Sequence, residues 1–243
     1  MARGIYVAAS GSVARLDQLE VLANDLAQVN TPGFKRDQVT FESVRRLDPA
    51  AGVDAARDKD FVQAAETRVA LEQGPLIRTD NALDVALVGR GMLRVQGAEG
   101  ERLTRNGRLL VARDGALKTT SGHPVLDDRG RPIYLPPDTV PDIASDGLIR
   151  ADGVAVARLG VADVAEGQEV HKDREGLVKP PDGGVKPGVP SAFELLQGFL
   201  EQSNVSPIQM MTELVTVQRN FEALHQVIST YRDLDQQVTQ LTR

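Results

Sequence analysis

Cysteine is absent from the 243 residues. That excludes disulfides, thiolate metal sites and a cysteine nucleophile, and it suits passage through an oxidising compartment. Tryptophan is absent too, and aromatic residues make up 4% of a chain that is 41% hydrophobic. A core must therefore rest on Leu, Val, Ile and Ala, and an aromatic ligand finds few stacking partners. Basic charge is in deficit: 28 Lys and Arg stand against 34 Asp and Glu, for a net charge of −6. No basic block stands out, so nucleic acid is not an expected partner, because phosphate binding needs clustered cations. No run is apolar enough for a membrane span. The opening MARGIYVAASGSVARL has no continuous apolar stretch, so neither stable membrane insertion nor a cleaved secretory signal is expected.

The residue patterns of catalysis are missing as well. The three histidines, His123, His171 and His225, lie far apart in no metal-binding spacing. Gly89-Arg90-Gly91 opens like a dinucleotide fingerprint, but Arg94 stands where the third glycine belongs and the flanks predict hairpins. There is no phosphate loop and no G-x-S-x-G elbow. Asp127 and Asp128 read as solvated turn residues. No catalytic residue, cofactor or metal is expected, and the chain reads as a non-enzyme.

What the sequence does hold is helical periodicity at both ends. Ile5, Ala9, Ser12, Leu16, Leu19, Ala23, Leu26 and Asn30 alternate four and three apart, the spacing of a helix seam. Small residues fill its first half and leucines its second. Pro32 disfavours a helical Thr31 and Gly33 permits a left-handed turn, so this helix ends near Asn30, with Phe34 directed at an apolar site. At the other end Ser206 and Gln209 form a capping box around Pro207, and Val205 with Met210 forms a hydrophobic staple. Met210, Leu214, Val217, Phe221, Leu224, Ile228 and Tyr231 then recur at four and three; Asp235 interrupts and Val238 resumes. A helix from Pro207 to about Leu241 is roughly 50 Å long. So narrow a seam over such a length calls for a coiled-coil partner more than for a broad globular core.

Between the ends the signals are those of strands. Asp114-Gly115, Asp146-Gly147 and Asp152-Gly153 are hairpin turns flanked by short apolar runs. The runs are Leu83 to Val88, Met92 to Val95, Leu109 to Ala112, Pro132 to Leu135 and Val154 to Val161. Residues 45–75, Ala-rich and charged, read as a loop or partial helix. Residues 166–190 read as an irregular return linker, and Ser191 with Glu194 caps a short helix through Gln202. The expected fold is α+β: long N- and C-terminal helices pairing as a coiled-coil layer, with a central mainly antiparallel β domain. The expected division is a discontinuous helical domain from 1–34 and 203–243, a connecting segment 35–79, the β domain 80–164 and a return linker 165–202.

Several motifs resemble one family. Gly4-Ile5-Tyr6-Val7-Ala8-Ala9-Ser10-Gly11, Leu22-Ala23-Asn24-Asp25-Leu26-Ala27 and Asn30-Thr31-Pro32-Gly33-Phe34-Lys35 resemble the amino-terminal signature of flagellar rod and hook proteins. Leu83-Asp84-Val85-Ala86-Leu87 and Leu103-Thr104-Arg105-Asn106-Gly107 resemble the start of that family's central β domain. Leu200-Glu201-Gln202-Ser203-Asn204-Val205 and Gln218-Arg219-Asn220-Phe221 resemble its last helix and the entry to it. Asp25 and Gln28 depart from asparagines common there, and Met92-Leu93 stand where aromatic residues are frequent.

The resemblance implies a structural subunit of the bacterial basal-body rod that assembles across the periplasm and transmits torque to the hook. It also implies export through the flagellar type III apparatus without signal cleavage. Implied partners are other rod and hook subunits, copies of the chain itself and the export apparatus. Length favours a rod protein with one compact β domain over a larger hook protein, and the GIYVAASG opening with the closely set last helix is more like proximal-rod than distal-rod members. The assembly interface expected from the seam comprises Ile5, Leu16, Leu19, Leu26, Phe34, Met210, Leu214, Val217, Phe221, Leu224, Ile228 and Tyr231. The rival reading is a β-rich periplasmic binding protein or enzyme whose helices serve only dimerisation; it needs a cleft of converging polar groups.

Overall fold

Both expected helices are present in the computed structural model of the chain, which describes residues 2–46, 59–89, 91–137, 139–164, 170–173, 175–180 and 193–241. Helix α1 spans Ala2–Ala27 and helix α2 spans Pro207–Leu241. α1 stops ahead of Pro32, where Thr31 turns back to donate its N–H to the Gln28 carbonyl at 3.0 Å. α2 starts at the proline, and the Ser206 carbonyl accepts the Met210 N–H at 2.9 Å, so fixed proline φ and an absent N–H fall where a helix start tolerates them.

The chain divides into two compact units: Met1–Ala27 with Asp37–Arg68 and Ser206–Arg243, and Gln28–Arg36 with Val69–Val205. In the first, α1 and α2 pack along one another. Gly4 lies against the Tyr231 ring and Gly11 against Leu224; seven residues forward on α1 match seven backward on α2, so the pair is antiparallel. The least exposed positions of α2 are those its periodicity singles out, from Met210 and Val217, both buried, to Tyr231. On α1 the buried stripe sits about one residue off the expected seam. Ala8, Leu22 and Asp25 are buried one residue ahead of the expected Ala9, Ala23 and Leu26, Ser12 is buried where the seam places it, and Leu16 is 45% exposed.

This corrects the expected coiled-coil layer. Among the described residues there are two helices in a single pair, and two of α2's large side chains, Tyr231 and Leu224, lie against the glycines Gly4 and Gly11. Small residues permit close backbone approach; they supply no knobs to interdigitate with a matching seam. A heptad of leucines on α1 is what the layer required, and its most prominent member, Leu16, points elsewhere.

Gly11 leaves room in this contact, since an added Cβ would meet Leu224 Cδ1 at an ordinary 3.5 Å. Gly11→Ala is therefore expected to raise the thermal midpoint of the helical signal, by up to about 1 kcal/mol of helix propensity. Gly11→Leu is expected to lower it by crowding Leu224. Circular dichroism melts of both variants check the pair; a lower midpoint for the alanine variant contradicts the packing described.

Strand β1, Asp37–Arg46, pairs with β2, Lys59–Val69. Within the 45–75 segment expected as a loop or partial helix, residues 59–69 are thus a strand, and residues 47–58 lie outside the described residues; β2 has little apolar alternation, and its pairing with β1 overrides the weak local signal.

Among its described residues the second unit holds twelve short strands: β3 Leu76–Arg78, β4 Val85–Gly89, β5 Met92–Gly97, β6 Gly100–Thr104, β7 Leu109–Val111, β8 Leu117–Thr119, β9 Asp142–Ile143, β10 Leu148–Ala151, β11 Val154–Arg158, β12 Val161–Ala162, β13 Phe193–Gln197 and β14 Phe199–Glu201. They form small antiparallel sheets, ordered β11-β10-β9, β12-β5-β6, β13-β4, β14-β3 and β7-β8. The three Asp-Gly pairs are hairpin turns. Asp152 and Gly153 both have positive φ, 51° and 80°, and close Ala151 onto Val154, the backbone a two-residue type I′ turn demands. The core beneath includes Leu93, Val95, Leu117, Val125 and Ile149, each at most 1% exposed.

The short helix expected up to Gln202 is instead β13 and β14, split at Gly198 with φ 79°; Ser191 lies outside the described residues. Phe193 and Leu195 alternate toward the core, and Leu195 and Leu200 are buried, a period of two that a capping pattern alone conceals. Residues 132–135, expected as a strand, contribute only the isolated bridges Leu126 to Pro132 and Ala116 to Tyr134.

Candidate assembly surfaces and a buried charge cluster

Three of the segments that carry the family resemblance, those holding Lys35, Arg105 and Glu201, meet in the second unit on one carboxylate. Glu201 ends β14, and its side chain is fully buried. Its Oε1 accepts Lys35 Nζ at 2.6 Å and the Gly74 N–H at 2.9 Å; its Oε2 accepts Arg105 Nη1 at 3.1 Å. Two cations for one anion would leave a buried excess of charge, and backbone carbonyls absorb it. Lys35 also donates to Glu72 O at 2.5 Å, and Arg105 to Leu87 O at 3.0 Å and Gly89 O at 2.6 Å. Burial holds the Lys35 pKa below its ordinary value, with the Glu201 carboxylate opposing that shift. A folded pKa below the unfolded one means that the unfolded chain binds more protons in that window. The unfavourable contribution of this ammonium is therefore relieved as pH rises through the folded pKa toward 10.5.

The turn around the cluster admits no side chain at Gly33. Its φ is 68°, its N–H donates to Glu201 O at 2.8 Å, and an added Cβ would lie 2.2 Å from the Arg105 carbonyl. Gly33→Ala is expected to destabilise this unit by about 1–3 kcal/mol, from left-handed backbone strain alone and more from the clash. A thermal melt unchanged from wild type contradicts the geometry. Asn204 completes the knot, accepting Arg36 N–H at 2.7 Å and donating to Ala70 O and Glu72 O at 3.0 and 3.2 Å. Sequence reasoning quoted Lys35, Arg105, Glu201 and Asn204 as motif members without joining them. The available signal was one charged residue inside each of three turn or apolar segments.

Of the residues expected at the assembly interface, Met210 and Val217 are buried, and Leu214, Phe221, Leu224, Ile228 and Tyr231 are partly buried on α2's inner face. Ile5, Leu19 and Leu26 are partly buried on α1, and Leu16 is exposed. Phe34 lies in the other unit, its ring under Lys172 Nζ at 3.9 Å. The helices also expose large apolar side chains that the seam omitted: Tyr6, Val7 and Val13 on α1, and Ile208, Met211, Val215, Val227 and Leu234 on α2.

Asp127 is buried rather than solvated. Its carboxylate accepts the N–H groups of Arg129 and Arg131 at 2.9 and 2.7 Å and the Arg131 guanidinium at 2.9 Å. Burial pushes its pKa up, but these donors outweigh burial and hold it below the ordinary carboxylate value. It closes a turn. His225 is exposed on α2 with its ring edge-on to Phe221, and no group of three or more His, Asp or Glu among the described residues could hold a metal ion. No described helix is long and apolar enough to cross a membrane.

Chain ends that meet in one helix pair, with a β-rich segment between them in sequence, define a discontinuous helical unit with an inserted β unit. Residues 86–157 match the flagellar hook protein FlgE/F/G D1 domain, and residues 196–241 match the flagellar basal body rod FlgEFG protein C-terminal family. The flagellar basal-body rod protein FlgF of Salmonella typhimurium is 35% identical over 256 residues, covering 99% of this chain and 98% of that one. FlgF of Caulobacter vibrioides is 31% identical, covering 96% and 95%, and the rod protein FlgG of Agrobacterium fabrum is 32% identical, covering 94% and 95%. The chain belongs to the flagellar basal-body rod protein family and is a structural subunit of the basal body. Membership implies assembly with other rod and hook subunits.

Proposed function

We propose that this chain is a proximal-rod subunit that joins its neighbours through its terminal helices and carries torque toward the hook. The observation that supports the reading most is the helix pair itself: the two chain ends form one element and still expose large apolar side chains along it. Large apolar side chains left exposed along one element are what a partner surface can bury. Partners in this reading are copies of the chain, other rod and hook subunits and the flagellar type III export apparatus, which passes the chain unfolded and without signal cleavage to a rod that crosses the periplasm.

A chain tagged within the β-rich unit and expressed from its own locus tests this. It should co-purify with detergent-extracted basal bodies after the outer rings and filament are stripped. Recovery only as a soluble protein, with basal bodies devoid of it, rejects the reading.

A further inference from the structure

We infer that residues 170–179 act as a clip that fixes the crossover behind α1, Gly33 to Arg36, with Lys172 as its positioning residue. The described residues of this stretch, 170–173 and 175–179, fold back as a hairpin inside the segment that the sequence alone marks as linker. Lys172 bridges Val178, the Asp173 N–H donates to the Leu177 carbonyl, and the Lys179 N–H donates to the His171 carbonyl, both at 2.8 Å. The turn is closed by its own residues. Asp173 Oδ1 accepts the N–H groups of Glu175 and Leu177 at 2.9 and 3.0 Å, and Gly176 takes φ 76°. The second arm lies along the outer edge of β6, where Leu103 and Val178 exchange backbone bonds at 2.9 and 2.8 Å. Val170, Leu177 and Val178 are buried beneath it.

Covering a strand edge requires no more than that second arm. The first arm reaches further, to the crossover. Lys172 Nζ donates to the Lys35 carbonyl and lies 3.9 Å from the centre of the Phe34 ring. A carbonyl oxygen and a ring face are both negative ends, so one ammonium joins two successive crossover residues. A second link is apolar. Val170 and Val178 share a cluster with Val69 and Leu71, and the Ala70 N–H between those two donates to the Arg36 carbonyl at 2.9 Å. The hairpin turn is itself anchored, with Asp173 paired to Arg102 at 3.1 Å and Glu175 Oε2 3.4 Å from His123 Nε2. Arg36 is the last residue of the β-rich unit before β1. The clip therefore holds rigid the stretch from which the chain leaves that unit.

Hydrogen exchange of the full-length chain, read by mass spectrometry, tests the clip. Lys172→Met keeps the bulk of the side chain and removes its charge and its donor. Exchange in segment 33–36 is expected to quicken roughly tenfold, while the core segment from Leu117 to Val125, both 0% exposed, keeps its wild-type rate. Lys172→Arg retains a cation able to stack on the ring and should return 33–36 to within about twofold of wild type. Phe34→Leu removes the ring face and keeps an apolar side chain; it should quicken the same segment, which gives a second reading should the methionine variant fold poorly. Unchanged exchange at 33–36 in a folded Lys172→Met chain overturns the inference. So does acceleration shared equally by 33–36 and the core in both the methionine and the leucine variants, because that is general loss of stability and not release of a clip.

Discussion

Glu201→Gln is expected to destabilise the β-rich unit by about 3–5 kcal/mol, the penalty of leaving buried cations without their counter-charge. The substitution keeps shape and one acceptor, so packing is not its cause. Lys35 and Arg105 remain, each less than a tenth exposed, now facing an amide whose nitrogen can only donate. The effect reaches far along the sequence, because the carboxylate ties Lys35, Gly74 and Arg105 to residue 201. Lys35→Met in the same background removes one of the two cations, and the double variant should lose clearly less than the sum of the single losses. Chemical denaturation followed in the β signal measures all three. Glu201→Gln within about 0.5 kcal/mol of wild type shows that the cluster is bystander chemistry.

The second large effect belongs to the helices. Phe221→Asp places a carboxylate on the inner face of α2, between Val217 and Leu224, where the wild-type ring also packs against His225. The loss is about 2–3 kcal/mol, from forfeited apolar burial and a poorly solvated charge. Within the helix pair this is enough to separate α1 from α2. The β-rich unit has its own core and should keep its melting transition. The variant is then expected to be stably expressed, to retain the β transition, and to be missing from basal bodies. Incorporation at wild-type level means that the pair is not the element through which the chain assembles.

How far the sequence carried depended on whether the deciding interaction was local. α2 was legible to the residue at its start because the Ser206, Pro207, Gln209 signature is contained in a single turn, and its inner stripe followed from period alone. The Asp-Gly hairpins were legible for the same reason: positive φ at Gly115, Gly147 and Gly153 is a local demand. The stripe of α1 was read one residue off because hydrophobicity favours Leu16 and Leu19, whereas close helix approach selects Gly4, Ala8 and Gly11, and small residues carry almost no signal in a hydrophobic pattern. β2 and β13 were missed because strand pairing with β1 and β4 decided them, and partners distant in sequence leave no local trace.

The charge cluster was illegible for a stronger version of that reason. Lys35, Arg105 and Glu201 are 166 residues apart at the extremes, and each alone looks like a surface charge. Only their turn and apolar settings, Pro32-Gly33 before Lys35, Asn106-Gly107 after Arg105 and Phe199-Leu200 before Glu201, hinted at burial. The motif resemblance pointed to the right segments without saying what holds them together.

The central claim, a structural subunit of the proximal rod, is tested most directly by electron microscopy of basal bodies from a strain lacking this gene beside the complemented strain. The account predicts basal bodies whose rod stops near its base and which carry no hook, with full rods and hooks restored by the wild-type gene. Intact rods bearing hooks in the deletion strain contradict it.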